Sequence, residues 1–141
     1  MMKSAFAVAL LAMVQSCWAS EKCAWVTGKL VCRKNPEIVS HSEIRLYDRD
    51  GPVGNPVFEV LEKLDRDDLM GLTHPELDGT FKLQGCGNDH DWLPGIHFND
   101  PEPYVQIFHY CNSDHGEEIN LREFSVFMPN WHDVGTIVLD S

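Results

Sequence analysis

Long apolar runs are scarce in this 141-residue chain. The longest, Ala5–Val14, has ten residues, about half of the roughly 20 that a membrane-spanning helix needs. No transmembrane segment is therefore predicted. Basic residues are scarce too, with 11 Lys and Arg against 22 Asp and Glu. That imbalance excludes direct attraction to nucleic acid and disfavours bare anionic lipid, unless a divalent cation reverses the local sign. No HExxH, no helical pair of histidines at metal spacing and no CxxC occurs, so the common zinc frameworks are missing. GxSxG and a Gly-rich phosphate loop are missing as well, which removes the usual signals of a nucleophile elbow or a nucleotide site. No cofactor and no metal are expected. Without an Asn-x-Ser/Thr triplet, N-glycosylation is not expected either.

What is present begins with MMKSAFAVALLAMVQSCWAS. Lys3, the ten-residue apolar run and the small residues around Ala19 predict a secretory signal peptide over residues 1–19, with one domain over 20–141. A lipoprotein signal using Cys17 is the rival, and Gln15 fits it poorly. The final residues, VGTIVLDS, match neither an ER-retention signal nor a lipid-anchor tail. With Lys3 removed, ten basic residues face 22 acidic ones, a net of −12. Of five cysteines, Cys17 leaves with the leader, so Cys23, Cys32, Cys86 and Cys111 remain. An even count in an oxidising compartment predicts two disulfides, and spacing leaves all three connectivities open.

The mature chain reads as short strands between turns. WVTGKLVC (25–32) puts Val26, Leu30 and Cys32 on one face and Lys29 on the other. EIRLYDRD (43–50) alternates Ile44 and Leu46 with Arg45 and Tyr47. KNPE (34–37) is a turn, and VFEVLEKL (57–64) is ambiguous between helix and strand. Asp78–Gly79 is a tight-turn pair before Phe81 and Leu83. PYVQIFHYC (103–111), EFSVFMP (123–129) and GTIVLDS complete the strands, and any helix is brief, within 114–121 or 57–64. Seven or eight short strands predict an all-β two-sheet sandwich.

GKLVC, EIRLYDRD, DDLMG, DGTFKLQG, YVQIFHYC, FSVFMP and VGTIVL occur in that order between about Val26 and Leu139. In this the chain resembles the nematode transthyretin-like family of secreted proteins. The resemblance implies a transthyretin-type β-sandwich and a Cys32–Cys111 disulfide, which leaves Cys23–Cys86 as a second bridge. It implies no shared activity. Some members are described as extracellular bridging or signalling proteins, including recognition of lipid on dying cells. A related hydrolase opens hydroxyisourate, but its Tyr-Arg-Gly-Ser tail is absent here, where the chain ends Val138-Leu139-Asp140-Ser141.

Candidate sites follow from strand parity. Val105, Ile107, His109 and Cys111 share one face of PYVQIFHYC. Turned inward, they make Cys111 a structural sulfur and His109 a core histidine, not a thiolate and its base. Tyr104, Phe108 and Tyr110 share the other face and form an aromatic stripe, the candidate binding surface. Asp48, Asp50 and Glu59 occupy three positions of a calcium loop, but Pro52 and Val53 break the pattern. Charged turns explain them and DRDD (65–68) better. His90, His97, His115 and His132 are read as solvated. Lys29, Arg33 and Lys34 form the one basic cluster.

The resulting expectation is a secreted interaction protein, not an enzyme, with an extracellular protein or cell-surface receptor as partner. Carriage of a small hydrophobic ligand or lipid is the alternative, and hydroxyisourate hydrolysis ranks behind it. Sequence does not set the oligomeric state.

Overall fold

The computed structural model describes residues 21–49, 67–88 and 101–140. The segment expected to be a signal peptide, the 57–64 segment, His90 and His97, and most of the two acidic loops considered for calcium lie outside the described residues. Among those described there are seven strands: β1 (Glu21–Val31), β2 (Glu43–Asp48), β3 (Asp68–Thr73), β4 (Thr80–Asn88), β5 (Pro103–His109), β6 (Glu117–Asn120) and β7 (Trp131–Val138). A 3-10 helix, Pro36–His41, links β1 to β2.

The strands form two sheets, β4-β1-β7 and β3-β2-β5-β6. β1 pairs antiparallel with β4 and parallel with β7. The alternation read in EIRLYD is obeyed along β2, where every second residue is buried. Ala24, Val26, Leu30, Phe81 and Leu83 from the first sheet meet Ile44, Leu46, Val105 and Ile107 from the second. Removing such a side chain from water stabilises the fold by about 1.5–3 kcal/mol, and this layer is the core.

Along one side the two sheets touch backbone to backbone. Gly71 of β3 faces β4, where a Cβ would lie 2.3 Å from the Gln84 carbonyl oxygen. Gly85 faces β3 in return, where a Cβ would lie 2.6 Å from the Met70 carbonyl oxygen. Two glycines therefore set how closely the sandwich closes there.

Three local expectations are corrected. EFSVFMP is not a strand. Its backbone is divided between the sheets: Phe124 N–H donates to the Pro103 carbonyl at 3.0 Å, and Met128 N–H donates to Cys23 at 2.9 Å. It crosses the sandwich, with Phe124 and Phe127 packed on the core. Within 114–121 the chain forms β6 and no helix, because Ile119 pairs opposite Ile107 and joins the core. The final strand begins at Trp131, four residues before GTIVLDS, because Trp131–Asp133 pair with Trp25–Thr27. β3 had no strand signal in the sequence. The KNPE turn leads into the 3-10 helix.

Candidate functional site

Both disulfides are present, Cys23–Cys86 and Cys32–Cys111. Cys32 and Cys111 are buried in the core. His109 is only 1% exposed, and its Nδ1 accepts the Cys111 N–H at 3.3 Å. An accepting Nδ1 defines the neutral tautomer protonated at Nε2. Burial pushes the His109 pKa below the ordinary histidine value, against the opposing pull of Glu117 and Asp140. The imidazole therefore orders the backbone beside the disulfide, and the sulfur it neighbours is already bonded.

His132 is shifted the same way by burial, against Asp133, and stacks on Phe124 at 4.1 Å. The sign is fixed by linkage. Unfolded imidazoles take up protons below about pH 6.5 and these two take them up at lower pH, so the unfolded state binds more protons in that window. Stability is expected to fall as pH drops from 6.5. A second fall is expected at lower pH, because Asp140 is held below its ordinary range by the Arg33 and Lys34 N–H groups. Thermal midpoints across pH 4–7.5 check this. His109→Gln should flatten the first fall, and a parent midpoint constant between pH 6.5 and 5 would contradict the assignment.

The expected aromatic stripe is corrected by the fold. Tyr104 is 5% exposed and therefore buried. Its hydroxyl donates to Asp67 Oδ2 at 2.6 Å, its ring stacks on Tyr47 at 5.7 Å, and the Arg49 guanidinium lies 5.3 Å over it. Gln106 is covered as well, donating to Glu118 and accepting from Arg45. Phe108 and Tyr110 are half-buried and pack edge-on at 5.2 Å. β5 lies between β2 and β6, and long side chains from both neighbours roof its outer face.

The open aromatic surface lies on the other sheet. Ala24 and Val26 are fully buried, so Trp25 between them points outward. Trp131 of β7 is its register partner, and the two rings lie 5.2 Å apart at 36°. Trp131 remains 40% exposed. The Lys82 ammonium lies 5.8 Å over the Trp131 ring. Gln84 pairs opposite Trp25, and Thr27 lies between Lys82 and Asp133. The Cys23–Cys86 bridge continues this face, with Cys86 exposed. Exposed Met128 is tied to its end by the bond to Cys23. The tryptophan pair is edged by Lys, Gln, Thr and Asp, an apolar centre inside a polar rim. Trp131 and Trp25 were missed because a single outward tryptophan carries no pattern. The available signal was that Trp25 alternates with two inward-facing residues.

Among the described residues, Glu21, Cys23 and Cys86 bring three donor atoms within 4.8 Å of one another. The two sulfurs are bonded to each other, so they do not serve as thiolate ligands in this state. His115 is exposed, and Asp48 accepts the Glu102 N–H at 2.9 Å. No described helix is long and apolar enough to cross a membrane.

Strand order, two bridges and an open tryptophan face define a disulfide-stapled two-sheet β-sandwich. The chain belongs to the transthyretin-like family: that family's model (TTR-52: Transthyretin-like family) matches residues 27–129. It is 31% identical over 87 residues to Transthyretin-like protein 1 of Caenorhabditis elegans. That match covers 62% of this chain and 46% of the relative, so the chain spans about half the length of the curated relative it matches. Among solved structures, a 9R-lipoxygenase from Cyanothece matches 84% of this chain and 16% of its own, at 15% identity and a TM-score of 0.42. At that level of similarity it carries no functional argument.

Proposed function

We propose that this chain is a secreted extracellular interaction protein, released by cleavage of residues 1–19 and folded over 20–141. It docks a protein or cell-surface partner on the outer face of the β4-β1-β7 sheet. The observation that carries this reading is the Trp25–Trp131 pair, packed ring on ring yet left open on one side. Two disulfides support an oxidising destination. Binding is favoured over catalysis because His109 and Cys111, the pair most suggestive of chemistry, are committed to the core. Hydroxyisourate hydrolysis gains no support from the C-terminal segment, where Asp140 accepts the Arg33 and Lys34 N–H groups at 2.7 Å each.

The test uses mature, oxidised protein titrated onto the surface of intact cells. Trp131→Ser, alone and with Lys82→Glu, is expected to weaken surface binding at least tenfold, as truncation of an aromatic anchor does at about 2 kcal/mol or more. Far-ultraviolet circular dichroism should match the parent. Parental binding by both variants would reject the tryptophan face.

A further inference from the structure

At one end of the sandwich the close of β1, the 3-10 helix and the turn before β4 converge on a pocket of about 290 Å³. Its lining is divided by chemistry. Val39, Pro36 and Leu77 supply apolar wall, while Lys29, Arg33 and Asp78 supply charge. Val39 belongs to the buried core, so the pocket reaches inward. Leu77 is 87% exposed, the most exposed large apolar side chain described. Nothing in its turn requires leucine. The turn is made by Gly79, with φ of 85°, and by Asp78.

The carboxylates nearby are already engaged. Asp78 accepts the Thr80 N–H at 3.0 Å and its hydroxyl at 2.6 Å, and these bonds, then the Lys29 charge, hold its pKa below the usual carboxylate range. Asp140 accepts the two backbone N–H groups of Arg33 and Lys34. Asp140 thus turns both oxygens to backbone donors, whereas both bonds to Asp78 fall on Oδ1 and its charge still acts on Lys29. Among the described residues, neither Lys29 nor Arg33 forms a salt bridge. Of the three charged residues in the lining, two are cationic and one, Asp78, is anionic.

We infer that this pocket binds a small amphipathic monoanion, a carboxylate carried on an aliphatic or aromatic body. The head meets Lys29 and Arg33, and the body lies against Val39, Pro36 and Leu77. Arginine offers a planar fork that fits a carboxylate edge, and lysine adds a point charge. A single negative charge suits two cations partly offset by Asp78. The volume lies just under the roughly 300–1,000 Å³ of small-molecule sites, which admits a body of about ten to fifteen heavy atoms. Lys29 shares the outward side of β1 with Trp25 but stands four residues further along the strand, and neither tryptophan lines the pocket.

Decanoate is the probe, titrated calorimetrically into mature oxidised protein, with decanol as its uncharged counterpart. Decanoate should bind with one-to-one stoichiometry, at least tenfold more tightly than decanol, and more weakly as salt rises. Lys29→Gln combined with Arg33→Gln should weaken it at least tenfold. Leu77→Asn should weaken it severalfold, and Trp131→Ser should leave it unchanged. These side chains lie at the rim, and matching circular dichroism verifies that each variant folds. No binding of decanoate, equal binding of decanol, or parental affinity in the double Gln variant would each overturn the inference. So would association with vesicles of anionic phospholipid without decanoate binding, because the cations would then serve a membrane surface instead of a pocket.

Discussion

Removing the core disulfide by Cys32→Ala and Cys111→Ala is expected to lower stability by about 3–5 kcal/mol, a large share of the 5–15 kcal/mol typical of a domain. The bridged residues are 79 apart in sequence, and a loop of that length gives a chain-entropy contribution of about 4–5 kcal/mol. Both residues are buried, so the substitution also leaves a void in the layer beside His109. The other bridge should behave differently. Cys23 and Cys86 sit opposite one another in the β1–β4 ladder, and Cys86 is exposed. Graded reductant should open Cys23–Cys86 first, because exchange requires a thiolate to reach the sulfur. Its loss should leave a folded protein; its 63-residue loop gives a chain-entropy contribution of about 4 kcal/mol, close to that of the core bridge, but no buried void is added. Urea denaturation of both double variants, with alkylation and mass analysis of partially reduced parent, measures these quantities. Simultaneous opening of the two bridges would refute the assignment of one as core and one as surface.

The second large effect is expected where the sheets touch. Gly71→Ala and Gly85→Ala should each destabilise by about 1–3 kcal/mol, because the added methyl meets backbone of the facing strand and backbone yields poorly. The two substitutions push on the same gap, so their effects should not add. The double variant should fall short of the sum by roughly 0.5–1 kcal/mol or more, as for residues sharing a contact. Denaturant midpoints for the four proteins complete the cycle. Either single alanine within 0.3 kcal/mol of the parent would show that β3 and β4 do not approach as described.

How far the fold can be read from sequence depends on whether each segment obeys one environment. β2 and β4 have one face in the core and one outside, so EIRLYD and TFKLQG alternate and are legible. The inward set Val105, Ile107, His109 and Cys111 is legible for the same reason. β5 misleads on its other face. Tyr104 and Gln106 look like surface residues by parity, and only the arrival of Asp67, Arg45 and Glu118 from other segments buries them. β3 is an edge strand whose Leu69 and Leu72 stay exposed, so no alternation marks it. EFSVFMP has the alternation of a strand but divides its hydrogen bonds between two sheets, which no local pattern records. The tryptophan face has the same origin. Trp25 and Trp131 are 106 residues apart and meet only because β7 runs parallel beside β1. In the pocket, Lys29 and Arg33 were legible as a basic cluster, but the apolar wall from Leu77 and Val39 was not.

The two bridges also interleave: Cys23 joins Cys86 across Cys32, and Cys32 joins Cys111 across Cys86. Any single proteolytic cut between residues 33 and 85 therefore yields two fragments still tied by both cystines. A chain wired in this way can be nicked in an enzyme-rich fluid and still migrate as one covalent molecule until it is reduced.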